Sequence, residues 1–224
     1  MDKTRESEQP ALTADWDRRA KRDGLQSVMS VRWNDRECED ATRLLIKAIW
    51  HLLADNIPKL PIKSVTEVGC GIGRVLKMWH TSKYVGSMRG VDLSYNMIER
   101  AKELMPQAEF IVADAAFLNK RQIDQLTADF VFTVTCLEHI TDEVNFLYAI
   151  ENIKSMAQRY VLLVEETALH RRHPASYTRT DMMRPIKDYM EVMEPWSLVA
   201  VSSVMCMEDK YSLMLFQKAE MGRF

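Results

Sequence analysis

The apolar positions of this chain change their period near residue 63. Before that point the pattern is helical; after it, short apolar runs alternate with amphipathic stretches. Residues 1–12 are polar. Residues 13–30 carry Trp16, Ala20, Leu25 and Val28 among charges, which predicts a short amphipathic helix and a turn at Gly24. Asn34 stands as an N-cap for a second helix. Leu44, Leu45, Ala48, Ile49, Leu52 and Leu53 give that helix an apolar stripe, and Pro58 and Pro61 mark its end. The stripe reads as packing surface rather than as a membrane or partner helix.

Beyond residue 63 the spacing predicts strands over Ser64–Val68, Gly90–Leu93, Phe110–Ala113, Asp129–Thr135 and Tyr160–Val164. Between them lie helical stretches: Gly73–His80, a segment capped by Ser94 and reaching about Met105, Lys120–Leu126, and a long one capped by Thr141 and reaching about Ala157. Such alternation means βαβ units and a parallel sheet covered on both faces. A helix near Thr180–Met193 and two strands, Leu198–Met205 and Tyr211–Gln217, complete the pattern, with a hairpin turn at Glu208–Lys210. The expected fold is α/β: a doubly wound, mostly parallel sheet with an antiparallel last strand. Residues 1–60 read as an N-terminal helical cap and residues 61–224 as the main domain.

Composition narrows the partners. The 224 residues carry a net charge of −2, so no bulk basic field for nucleic acid exists. Cys38, Cys70, Cys136 and Cys206 are scattered, with no C-x-x-C pair, which points to reduced intracellular thiols and no metal site. No apolar run approaches about 18 residues and Met1–Pro10 is polar, so the expectation is a soluble, cytoplasmic protein without a membrane partner.

Chemistry concentrates around the glycines. The chain holds only seven, and Gly69, Gly71 and Gly73 fall together in Glu67-Val68-Gly69-Cys70-Gly71-Ile72-Gly73, after a strand and before a helix. Glycines there let the backbone approach a ligand and tighten the turn. The spacing is G-x-G-x-G rather than the dinucleotide G-x-G-x-x-G. The acid before it is repulsive to a diphosphate and suits a cationic ligand. Asp92 ends the second strand about twenty residues further on, where such sheets hydrogen-bond a ribose diol. Asp114 ends the third strand, with Ala115, Ala116 and Phe117 behind it, and suits an adenine amino group. The three acids lie at the carboxyl ends of successive strands, the edge where open α/β sheets bind ligands.

With these pieces in order, and with Val91-Asp92-Leu93-Ser94, Ala113-Asp114-Ala115 and Cys136-Leu137-Glu138-His139-Ile140 following, the chain resembles the class I S-adenosylmethionine-dependent methyltransferases over about residues 60–165. The resemblance implies strand order 3-2-1-4-5-7-6 with strand 7 antiparallel. It implies S-adenosyl-L-methionine as cofactor, bound by Glu67, Gly69, Cys70, Gly71, Gly73, Asp92, Leu93, Asp114, Ala115 and Thr135: Glu67 and the glycine loop at the methionine end, Asp92 at the ribose, Asp114 at the adenine. Trp16-Asp17-x-x-Ala20 with Gly24 looks like the lid helix of small-molecule members. Two departures stand out. Met156-Ala157-Gln158-Arg159 replaces a Pro-Gly-Gly turn, and no Asn/Asp-Pro-Pro-Tyr follows strand 4, which argues against methylation of base amino groups or glutamine.

His139, just past strand 4, is the candidate catalytic residue: a hydroxyl acceptor must lose its proton, and histidine titrates near neutrality. An amine acceptor needs only its lone pair, and Glu138 and His139 also read as residues that start the next helix. Glu165 and Glu166 read either as a site for a substrate amine or as a solvated loop edge. His170-Arg171-Arg172-His173-Pro174, with Tyr177 and Arg179, reads as a solvated loop or as part of a lid. The expected activity is methyl transfer to an oxygen or nitrogen of a small molecule, such as a specialised metabolite. The alternatives are a peptide or protein acceptor, or an inactive cofactor-binding partner subunit.

Overall fold

The computed structural model describes residues 9–29, 33–57, 62–81, 85–171 and 181–219. Pro58, Pro61, Arg172, His173, Pro174, Tyr177, Arg179 and Thr180 lie outside them. Seven strands form one sheet in the order β3-β2-β1-β4-β5-β7-β6. They are β1 (Ser64–Val68), β2 (Ser87–Asp92), β3 (Glu109–Val112), β4 (Ala128–Val134), β5 (Ala157–Glu166), β6 (Ser197–Cys206) and β7 (Asp209–Gln217). The pairs among β1 to β5 are parallel, and β7 runs antiparallel to both β5 and β6. The expected order and the antiparallel strand are both present.

The helices are α1 (Gln9–Arg19), α2 (Asp35–Asn56), α3 (Tyr95–Leu104), α4 (Lys120–Leu126), α5 (Glu143–Met156) and α6 (Ile186–Met193). Local chemistry sets their starts. Asn34 and Glu37 form a capping box on α2, Asn119 and Gln122 form another on α4, and the Ser94 hydroxyl accepts from Met97 N–H at the start of α3. Asp142, not Thr141, caps α5, accepting from Asn145 N–H.

Several expectations change on the structure. Gly73–His80 is not an α-helix. The chain there runs through turns into a short 3-10 helix, Leu76–Thr81, because the Leu76 N–H is taken by the Glu67 carboxylate. The helix near Thr180 begins only at Ile186, since Pro185 disfavours helical geometry in the residue before it. Leu44 faces solvent on α2, while Cys38, Ala41, Leu45, Ile49, Leu52 and Leu53 are buried. Where relatives carry a Pro-Gly-Gly turn, α5 passes directly into β5 at Ala157.

The sheet separates two cores. One packs α2 against Trp79, Phe130, Phe132 and the inner residues of β6 and β7. The other packs α5 and α6 against Val131, Val161 and Met214. Alternate residues of β4 therefore serve opposite cores, which holds its carboxyl end, and the loop that follows, in a fixed place.

Candidate active site

A cavity of about 500 Å³ opens over the carboxyl ends of β1, β2, β3 and β4. Its walls hold Glu67, Gly69, Cys70, Gly71, Asp92, Leu93, Asp114, Ala115, Thr135 and His139, and α1 contributes Leu12, Asp15, Trp16 and Arg18. Of the residues assigned to the cofactor or to catalysis, Gly73 stands off this wall. A Cβ there would point at Met105, Phe110 and Ala101, on the side of α3 and β3.

The floor is a taut loop. Gly69 and Cys70 donate their N–H groups to Val91 O at 2.8 and 3.1 Å, tying the turn to β2. Gly69 has φ +70, and a Cβ on it would lie 2.3 Å from Cys136 Sγ; Gly71 has φ +51, and its Cβ would lie 2.7 Å from Val28 Cγ1. Both positions need glycine on two counts, the left-handed backbone and the close neighbour. At the end of β4, Thr135 sits at φ 51, a costly conformation for a β-branched residue, and it lines the cavity.

The acids divide their oxygens between the fold and the cavity. Asp92 accepts from Gly71 N–H at 2.8 Å and Ser94 N–H at 2.9 Å. Burial pushes its carboxyl upward, and those two bonds pull it back. A carboxylate has about four lone-pair sites, so acceptor capacity remains for a ligand. Asp114 spends Oδ1 on Ala116 N–H at 2.8 Å and is likewise raised by burial. Glu67 accepts from Leu76 N–H at 2.8 Å; burial pushes it up to about 8, with the neighbouring Arg74 guanidinium opposing. Burial also raises the thiols of Cys70 and Cys136, so neither is an activated thiolate.

His139 lies in a 3-10 turn, Leu137–His139, directly after β4. Its Nδ1 is 2.6 Å from Asp181 Oδ1, its Nε2 is 3.9 Å from Glu138 Oε1, and the Trp16 ring meets it edge to face at 4.9 Å. Burial lowers the imidazole pKa, but the bond to Asp181 and the charge of Glu138 outweigh it, and the net shift is upward. Glu138 itself is raised by burial.

Glu165 fits neither expectation made for it. It is fully buried and accepts from the Thr133 hydroxyl at 2.9 Å and from the N–H groups of Leu137 and Glu138, both at 3.2 Å. It anchors the turn that carries His139. Glu166 donates its N–H to Glu138 Oε2 at 3.0 Å. Arg171 pairs with Glu143 and Asp188, so it braces α5 against α6.

Four residues that the motifs did not single out complete the site. Arg74, first after the glycines, lines the cavity and reaches Thr42 Oγ1 at 3.2 Å; its place in the sequence was a usable signal. Asn145 carries a buried Oδ1 without a partner and also lines the cavity. Asp181 and Arg184 arrive from far along the chain with no local motif. Among the described residues no group of three or more His, Cys, Asp or Glu is placed to hold a metal, and no helix is long and apolar enough to cross a membrane.

Comparison with known proteins gives consistent matches. The family described as a methyltransferase domain matches residues 65–157. The 235L protein of Invertebrate iridescent virus 6 is 32% identical over 45% of this chain and 37% of its own length. A trans-aconitate 2-methyltransferase of Afipia carboxidovorans is 32% identical over 29% of this chain and 25% of its own. The chain thus spans between a quarter and little more than a third of the length of these curated relatives. Among solved structures, magnesium protoporphyrin IX methyltransferase of Synechocystis PCC 6803 with bound S-adenosylhomocysteine superposes with a TM-score of 0.67 at 17% identity, covering 97% of this chain and 100% of that one. The N-methyltransferase NodS of Bradyrhizobium japonicum, also with S-adenosylhomocysteine, gives 0.66 at 15% identity, covering 93% and 98%. At such identities these two likenesses speak for the fold.

Proposed function

We propose that the chain, whose residues 65–157 match the methyltransferase-domain family, is a class I enzyme that binds S-adenosyl-L-methionine and methylates an oxygen or nitrogen of a small molecule. The observation that carries this reading is the cavity itself. One end is walled by the glycine loop, Asp92 and Asp114, and the same space reaches His139 beneath Trp16.

The residues present fit the cofactor. Gly69 and Gly71 keep side chains off the loop. Asp92 retains lone pairs for a ribose diol, and the second oxygen of Asp114 suits an adenine amino group. Glu67 and Arg74 give the methionine end what an amino acid requires, an acidic partner for the amine and a cation for the carboxylate. When bound, the cofactor supplies a methyl group made electrophilic by a sulfonium.

The chain's own residues then have three tasks. The strand ends align the acceptor with the methyl, since orientation is the main source of acceleration in a displacement between bound partners. Trp16, with Arg19 stacked on it at 4.4 Å, covers the site and excludes water. His139 takes the proton of a hydroxyl acceptor. A hydroxyl is favoured over an amine because a titratable ring at this position has work to do only for the former. We infer that the described residues before β1 cover the site and that the catalytic domain begins near residue 61.

The test is a screen with labelled S-adenosylmethionine against pools of small molecules, peptides and RNA. Label is expected in an oxygen- or nitrogen-bearing small molecule. Incorporation only into peptide or RNA would replace the acceptor class, and none at all in a protein that binds the cofactor would leave a binding subunit.

A further inference from the structure

We propose that Asp181 is a positioning residue for the base: it holds the His139 imidazole in the tautomer whose Nε2 is free to take the acceptor's proton. This rests on the assignment of His139 above. A carboxylate only accepts, so the 2.6 Å contact requires a proton on Nδ1. In the neutral ring the lone pair is then on Nε2, of a side chain that lines the cavity. In the step, the acceptor O–H bond breaks, the proton bonds through the Nε2 lone pair, and the electron pair stays on oxygen. The imidazolium that results carries its positive charge against Asp181.

Asp181 is not there by the accident of a loose loop. The segment that carries it is fastened to the same turn at three further points. Met182 N–H donates to Glu138 O at 2.6 Å, and the fully buried Arg184 donates to Leu137 O at 3.2 Å and to Ile140 O at 2.8 Å. Arg184 is held in turn by Glu143 Oε1 at 3.0 Å and by the face of Phe146 at 3.8 Å. The carbonyls before and after His139 are therefore pinned by the residue three positions beyond Asp181, and ring and carboxylate are located by one scaffold. The charged groups facing the ring are Asp181, Glu138 on its own turn, Glu165 on β5, Asp92 on β2 and Arg19 on α1. Among the described residues, only the Asp181 side chain hydrogen-bonds to it.

The experiment is ring-nitrogen NMR of the full chain saturated with S-adenosylhomocysteine, titrated over pH, with His139→Gln identifying the signal among the five histidines. Wild-type protein should show the Nδ1–H tautomer above its titration. Asp181→Asn should lower the His139 titration by about one unit or more, and Asp181→Glu should restore part of it. Turnover, read with labelled cofactor and the acceptor from the screen above, should fall at least about tenfold in Asp181→Asn while cofactor binding holds. The alkaline rise of the pH profile should move down with the NMR midpoint. An Nε2–H tautomer in wild type overturns the proposal without any variant. So does an Asp181→Asn protein with unchanged titration, or with unchanged turnover and pH profile while His139→Ala is inactive. If His139→Ala retains full turnover, the base assignment itself fails and takes the proposal with it.

Discussion

The wall of the cavity that carries Asp92 and Asp114 is made of strand ends, whereas the wall that carries Trp16 is made of a segment laid over the sheet and tied by a few side chains. On the first wall, Gly69, Asp92 and Asp114 take their positions from ladder hydrogen bonds among β1, β2 and β3 and from the two cores behind them. On the second, α1 is latched to α3. Asp17 accepts from the Ser94 hydroxyl at 2.5 Å and Asn96 N–H at 3.2 Å, and Arg100 gathers the carbonyls of Ala20, Arg22 and Gly24. A wall of the first kind is stiff and presents the same surface throughout. A wall held by a handful of polar contacts and one small apolar cluster around Ala20, Ile72 and Met97 opens at lower cost, as the substrate cover proposed above would have to.

The largest expected effect joins the two walls. Gly71→Val puts a side chain where Val28 stands 2.7 Å away and demands φ +51 of a β-branched residue. It should abolish S-adenosylhomocysteine binding and unseat the 24–28 segment, seen as lost thermal shift and raised protease sensitivity there. A Gly71→Val protein with normal binding would contradict the placement of the loop.

His139→Ala separates the walls by chemistry. It should lower turnover by about 10²–10⁴ and leave cofactor affinity nearly unchanged, if the acceptor is a hydroxyl. A cost well under tenfold, with a pH profile following the acceptor, would point to an amine.

Glu67 tests the stiff wall by pH. Its carboxyl is raised to about 8 by burial, above an ordinary value of 4.5. The associated stability is full below about pH 4.5 and is lost as pH rises through about 8. In the ligand-free protein, Glu67→Gln should therefore gain on wild type between pH 5 and 9, by about 1–3 kcal/mol, in denaturant unfolding. Parallel stability curves would show that Glu67 is not held in a dry site.

Asp17→Ala tests the latch and should have the smallest effect. It should cost about 0.5–2 kcal/mol, the usual loss for a capping side chain. KM for the acceptor should rise about severalfold while the cofactor constant stays put. A change in the cofactor constant instead would mean that α1 belongs to the stiff wall.

The same division explains what was legible in the sequence. Strand order, the glycine loop and the acids at strand ends follow from short local patterns, because a βαβ unit places each strand's carboxyl end at one edge. Asp114, Asp92 and His139 could be placed that way. Asp181 could not: it meets His139 across 42 positions of chain, and nothing about an Asp before two methionines marks it. Glu165 was visible as an acid at a strand end, but only its bonds to the Thr133 hydroxyl and the turn's N–H groups reveal that it faces inward. Pro185 was in plain view and still allowed the α6 start to be set too early, because the amphipathic pattern continues upstream of it.

The most direct measurement of the central claim is a titration of the purified chain with S-adenosylhomocysteine, alongside Asp92→Ala and with NAD as control. The expected result is stabilisation of about 2.7 kcal/mol at a hundredfold excess over the dissociation constant. In Asp92→Ala, affinity should weaken by about 1.5–3 kcal/mol, the loss expected for hydrogen bonds to a charged acceptor. That variant should also melt earlier without ligand, since Gly71 and Ser94 lose the acceptor of their N–H groups. NAD should do nothing. Stabilisation by NAD and none by S-adenosylhomocysteine would contradict the reading of this cavity.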